Sequence, residues 1–177
     1  ENKQKVVLKN HVVLLGFNEI AQEIGEFYEE QLTPERVLLI DCDPEIIKHF
    51  EERKDCNVDP VYADPNDPKV WKEYKLSEAK VVVSCTGSDL DADLQLAAYI
   101  RHTAPDLPFL AVTDSHEDSL KLYESGVRYV VQTDHLASKT FRNIFSEEID
   151  KPASESFVEQ GNSCLLYTSD AADEEDS

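Results

Sequence analysis

The chain of 177 residues contains no methionine, one tryptophan and only five glycines. Positive charge is also scarce, with 17 Lys and Arg against 37 Asp and Glu and a formal net charge of −20. That balance disfavours nucleic acid, whose phosphates repel it, and anionic membrane surfaces. The four cysteines, Cys42, Cys56, Cys85 and Cys164, include no C-x-x-C pair. Neither a zinc site nor a redox pair is signalled, and a reducing compartment is the simpler expectation. His11, His49, His102, His116 and His135 are scattered, without the spacing that a metal or an activated nucleophile needs. No run of 18 apolar residues exists, so no membrane span is expected. There is no signal-peptide pattern. Lacking a start methionine, the chain is expected to be a piece of something longer, with residues 1–9 a linker from an upstream region.

What is present is unevenly spread. Ser146 to Ser177 holds ten acids and one Lys, and the rest of the chain carries a net charge of −11. Residues 146–163 read as a linker. Residues 164–177, beginning Cys164-Leu-Leu-Tyr-Thr-Ser-Asp-Ala-Ala-Asp-Glu174, resemble the translation of a sequencing adapter, or else form a disordered acidic tail. They are set aside in functional reasoning.

Between these ends, strand and helix signals alternate. Unbroken apolar runs at Val12–Leu15, Val37–Ile40, Val81–Val83 and Phe109–Val112 suit strands buried on both faces. Shorter strands are expected near Val58–Tyr62 and Tyr129–Val131. Ile20, Ile24, Phe27 and Tyr28 repeat at helical spacing over Glu19–Gln31. Further helices open at Pro44, at Asp67 or Pro68, at Asp89 and after the cap residue Ser115. A last helix is expected over about Leu136–Phe145. The pattern predicts an α/β fold, a Rossmann-like doubly wound parallel sheet of six strands in the order 3-2-1-4-5-6.

The first strand turns directly into the first helix through Gly16-Phe-Asn-Glu-Ile-Ala21, and about twenty residues on the second strand ends at Asp41. This is the layout that holds a dinucleotide, with two of the three G-x-G-x-x-G glycines replaced by Asn18 and Ala21. Gly16 closes a tight turn where a side chain would clash. The backbone N–H groups of Phe17, Asn18, Glu19 and Ile20 lie at a helix start, which suits phosphate. Asn18 either crowds a pyrophosphate or donates its own hydrogen bond. Asp41 can accept ribose hydroxyls and repels a 2′-phosphate, which disfavours NADPH. Asp43 reads as a helix cap. Thr86 and Gly87 fall at the end of the fourth strand, where strand order reverses and a ligand contact is expected. Asp89-Leu-Asp-Ala-Asp93 fails the EF-hand pattern and reads as first-turn acids favoured by the helix dipole. No catalytic constellation and no metal site is expected.

His11-Val-Val-Leu-Leu-Gly16, Leu38-Leu-Ile-Asp-Cys-Asp-Pro44, Val61-Tyr-Ala-Asp-Pro65, Asp89-Leu-Asp-Ala-Asp-Leu94 and Tyr123-Glu-Ser-Gly-Val-Arg-Tyr-Val-Val131 stand in order and at the spacing of one family. Together they resemble the RCK, or TrkA-N, domains over residues 10–145. The turn Gly16-Phe-Asn-Glu19 is similar to the variant attached to Kef-like cation/proton antiporters. The resemblance implies a cytosolic domain, at the cytoplasmic face of a membrane, that regulates K+ or Na+ movement by an attached transporter. It implies NAD(H) or an adenine nucleotide (AMP, ADP or ATP) as ligand. The implied binding residues are Gly16, Phe17, Asn18, Glu19, Ile20, Asp41, Cys42, Asp64, Thr86 and Gly87. It also implies a homodimer through Leu136, Phe141, Ile144 and Phe145. The family's Asn in the first turn after strand four stands here as Asp93. The alternatives are a K+ channel or Trk/Ktr uptake domain, a dimerisation scaffold that has lost its nucleotide, and a fragment of an NAD-dependent dehydrogenase. The last lacks chain length for a substrate domain.

Overall fold

The computed structural model describes residues 8–30, 36–53, 56–87 and 89–133. The chain divides into two contact units at Val131/Gln132, and the fold below is that of the first. The last helix and its four dimer candidates, residues 1–7 of the first linker, the second linker and residues 164–177 lie outside the described residues.

Six strands, β1 (Val12–Leu15), β2 (Val37–Asp41), β3 (Val58–Tyr62), β4 (Val81–Gly87), β5 (Phe109–Thr113) and β6 (Tyr129–Gln132), form one sheet ordered β3-β2-β1-β4-β5-β6. β1 lies between β2 and β4, in parallel with both, pairing Leu15 with Ile40 on one side and with Ser84 on the other. The expected order and the Rossmann-like parallel architecture both hold. The helices are α1 (Glu19–Glu30), α2 (Pro44–Glu52), α3 (Pro68–Glu73), α4 (Leu90–Thr103) and α5 (His116–Glu124), with a single 3-10 turn at Leu76–Glu78.

Strand side chains alternate between faces, and this builds two cores. Val12 and Leu14 pack with Ala21 of α1 and Phe50 of α2 on one face. Val13 and Leu15 pack with Trp71 of α3, Leu96, Ala97 and Ile100 of α4 and Leu122 of α5 on the other. Every residue of β1 and of β2 is buried, which is why both read as unbroken apolar runs.

Short polar side chains start the helices as expected. Asp43 accepts from the Glu45 N–H, Asp67 from Lys69, Asp89 from Ala92 and Ser115 from Asp118. Gly126, at φ +93°, ends α5, where the left-handed conformation favours glycine. One boundary differs in substance. β4 runs on through Ser84-Cys-Thr-Gly87 rather than stopping at Val83, with an irregular register against β5 between Ser84 and Gly87. Ser84 is 1% exposed and Cys85 4%, so this polar-looking stretch is a buried strand end.

Candidate functional site

The C-terminal ends of β1, β2 and β4 meet where strand order reverses, and three sets of contacts fix their shape. The first is at Gly16. It sits at φ +81°, and a Cβ there would lie 3.0 Å from Thr86 Cγ2 and 3.3 Å from the Thr86 backbone nitrogen. Both the turn and the close approach of β4 therefore require glycine.

The second is at Asp41, whose side chain is 9% exposed at the end of β2. One carboxylate oxygen accepts the Phe17 N–H at 2.8 Å, and the other accepts the Asp43 N–H at 2.7 Å. Asp41 thus ties the turn after β1 to the turn after β2. Each oxygen keeps further lone-pair capacity for a hydroxyl.

The third is at Asn18, the residue preceding α1. Its Oδ1 accepts the Ala21 N–H at 2.9 Å, and its Nδ2 donates to the Cys85 carbonyl at 3.2 Å. Asn18 is therefore an N-cap that also stitches α1 to β4. Its side chain is turned onto the protein, and it occupies one of the amides a helix start offers an anion. The Phe17 N–H is occupied by Asp41. Asn18, Glu19 and Ile20 carry the other N–H groups of this helix start, the kind of amides that suit an anion.

The other sequence candidates divide. Phe17 packs edge-on against Phe50, with ring centroids 5.4 Å apart, and Ile20 packs against the same core. Both serve the turn through backbone and packing. Glu19 and Cys42 are exposed at the rim. Asp64 is exposed and accepts the Asn66 N–H at 2.9 Å, so it shapes its own turn. Gly87 pairs with Thr113 of β5. Asp93 stands in the first turn of α4, as expected, yet it faces the core. It is 4% exposed and accepts a 2.5 Å hydrogen bond from Ser84, whose oxygen lies 3.2 Å from the Thr86 hydroxyl. Burial, together with the nearby Asp89, pushes its carboxyl up to about 6, against the Ser84 hydrogen bond.

Sequence reasoning missed two features here. Tyr62, 66% exposed, stands at the end of β3 in register with Asp41. The Asp93–Ser84 pair had a signal, since Asp93 shares one helical stripe with Leu96, Ala97 and Ile100, all buried. Among the described residues no group of three His, Cys, Asp or Glu side chains is placed to hold a metal. No helix there is long and apolar enough to cross a membrane.

A parallel sheet whose order reverses beside a glycine turn, a helix start and a strand-end carboxylate defines a Rossmann-like domain. More particularly, the model of the TrkA-N domain matches residues 12–133, and the chain belongs to that family. It is 28% identical over 124 residues to the "Putative K(+) efflux antiporter KefB" of Alkalimonas amylolytica, covering 70% of this chain and 18% of that protein. It is 27% identical over 131 residues to "Probable potassium channel protein 2" of Methanocaldococcus jannaschii, covering 74% and 37%. The chain thus spans well under half the length of both curated relatives. Among solved structures, the TrkA-N domain of the inner membrane protein ybaL from Escherichia coli superposes with a TM-score of 0.68 at 19% identity, covering 78% of this chain and 98% of that one. The GsuK channel bound to NAD superposes at 0.58 and 18% identity, covering 70% and 21%. The Kef C-terminal domain of Shewanella denitrificans in its AMP-bound form superposes at 0.54 and 15% identity, covering 79% and 92%. These superpositions establish a shared fold.

Proposed function

We propose that this domain binds an adenine nucleotide, AMP, ADP, ATP or NAD(H), at the β1–β4 junction and thereby regulates a membrane transporter of K+ or Na+. The observation that carries the reading is the Gly16–Asp41 arrangement. A turn that requires glycine, because Thr86 approaches it closely, lies beside a strand-end carboxylate with capacity left for hydroxyls. Family membership supports it, as do solved relatives bound to NAD, ADP and AMP. The transporter is a membrane-embedded region, attached or associated, of the kind the antiporter and channel relatives suggest. No chemical step is needed. The ligand biases the gate by its difference in affinity between the two gate states. The domain acts as a homodimer through Leu136, Phe141, Ile144 and Phe145, and light scattering at tens of micromolar tests that part.

Calorimetry with AMP, ADP, ATP, NAD and NADH tests the ligand. Binding with Kd below about 1 mM, lost in Asp41→Ala, is the expected result. A second reading is favoured by one observation. The Asn18 side chain and the Asp41 carboxylate are both engaged by the protein itself. A scaffold that keeps the fold without a nucleotide would look like this, and silence toward all five ligands would select it.

A further inference from the structure

A second buried carboxyl, besides Asp41, is linked through β4 to the candidate site. Asp93, in the first turn of α4, is buried and receives the Ser84 hydroxyl hydrogen. Ser84 Oγ is 3.2 Å from Thr86 Oγ1, and Thr86 is the residue against which Gly16 closes. Three oxygens, Asp93 Oδ1, Ser84 Oγ and Thr86 Oγ1, therefore form a chain that ends at Thr86, whose methyl faces the Gly16 turn.

The direction of such a chain depends on one proton. When Asp93 is ionised it only accepts, so Ser84 must give it its hydrogen. Ser84 can then accept from Thr86, whose hydroxyl hydrogen points inward along the chain. When Asp93 is protonated it can donate to Ser84. Ser84 then gives its hydrogen to Thr86, and the Thr86 hydroxyl hydrogen turns away from the chain. Thr86 makes a further interaction besides these.

The charges around Asp93 work the same way. On α4 itself Asp89 lies close enough to oppose ionisation. From β4 it is faced by the Cys85 thiol, buried and pushed up to about 12. β1 and β5 carry no ionisable side chain. The start of α1 brings Glu19, an acid. On α5, Glu117, Asp118 and Lys121 pair with one another, and Glu78 of the 3-10 turn pairs with Lys75. Among the described residues no cation offsets the Asp93 charge. A phosphate arriving at the junction adds a further negative charge on this side.

We propose that Asp93 is a positioning residue whose protonation reverses the Ser84–Thr86 hydrogen-bond chain, removes a buried negative charge behind the β1–β4 junction and so tightens the binding of an anionic nucleotide there. The inference rests on the nucleotide reading above and adds a proton to it. By linkage, ligand binding draws a proton onto Asp93 to the same extent that the proton favours the ligand.

The test is calorimetry of the full chain with NAD, whose pyrophosphate keeps its charge across the range, at several pH values from 5.5 to 7.5. Wild type, Asp93→Asn and Ser84→Ala are compared in buffers of different ionisation heat. The wild-type affinity is expected to fall about tenfold from the acid to the alkaline end, with proton uptake visible as buffer-dependent heat. Both variants should bind with flat profiles. Asp93→Asn keeping the wild-type slope, or a wild-type affinity that is flat or rises with pH, overturns the role of Asp93 while leaving nucleotide binding intact. Absence of NAD binding by all three proteins at every pH overturns the inference together with the nucleotide reading on which it rests.

Discussion

Gly16 carries two requirements at once, a left-handed φ of +81° and room for Thr86 at 3.0 Å from where a Cβ would be. Gly16→Ala is therefore expected to cost about 1–3 kcal/mol of stability and to remove nucleotide binding. Urea denaturation and calorimetry check the two parts, and a variant of wild-type stability would show that the turn relaxes freely. Asp41 presents a different balance, because its carboxylate holds the Phe17 and Asp43 amides. Asp41→Asn keeps the shape but replaces one acceptor with a donor that faces an N–H. A loss of about 1–2 kcal/mol is expected, with nucleotide affinity reduced as well. If affinity alone falls, the carboxylate acts on ligand rather than on the turns.

At the scale of elements, α1 is tied to β4 by the two hydrogen bonds of Asn18. Asn18→Ala is expected to destabilise by about 1 kcal/mol through the lost cap. Asn18→Gly restores the glycine pattern, costs less at the cap, and clears the approach to a pyrophosphate. It should bind NAD more tightly than wild type even though the fold is weaker, and unchanged or poorer affinity would mean that Asn18 itself donates to the ligand. The same elements explain what the sequence made legible. β1 and β2 are buried on both faces, so their composition announces strands, and Asp43, Asp67 and Ser115 cap helices as their positions suggest. The order of strands followed from alternation taken together with the Rossmann layout of the glycine turn after β1 and the acid ending β2. The extension of β4 to Gly87 was hidden because Ser84 and Thr86 satisfy their hydroxyls within the protein instead of facing water. The burial of Asp93 went unread, although it shares the Leu96–Ala97–Ile100 stripe, because its place in the first turn already accounted for an acid there. The inward turn of Asn18 and the double engagement of Asp41 are hydrogen-bond choices among alternatives that one sequence leaves open.

Across the whole molecule, two buried ionisable groups set opposing pH dependences. His11, 1% exposed at the start of β1, bonds through Nε2 to the Tyr74 carbonyl, and its Nδ1 is buried without a partner. Burial lowers its proton affinity from the usual 6.5. Its neutral form is thus favoured on folding, so its contribution is intact above pH 6.5 and is lost as pH falls below that value. Asp93 runs the other way. Its carboxyl is raised from 3.8 to about 6, so the folded state prefers the proton. The stability it contributes is full below pH 3.8 and is lost as pH rises through about 6. Asp93→Asn keeps the Ser84 hydrogen bond and removes the ionisation, so at pH 7.5 it should be more stable than wild type by about 2–3 kcal/mol. At pH 4 the two proteins should be nearly equal, since the wild-type carboxyl is then protonated when folded. Guanidinium denaturation of both proteins from pH 4 to 8 reads this difference as a gap that opens between about 4 and 6. A constant gap at every pH would mean that the aspartate differs from asparagine only in packing. A fall in the stability of both proteins together below pH 6.5 would assign the acid sensitivity of the fold to His11.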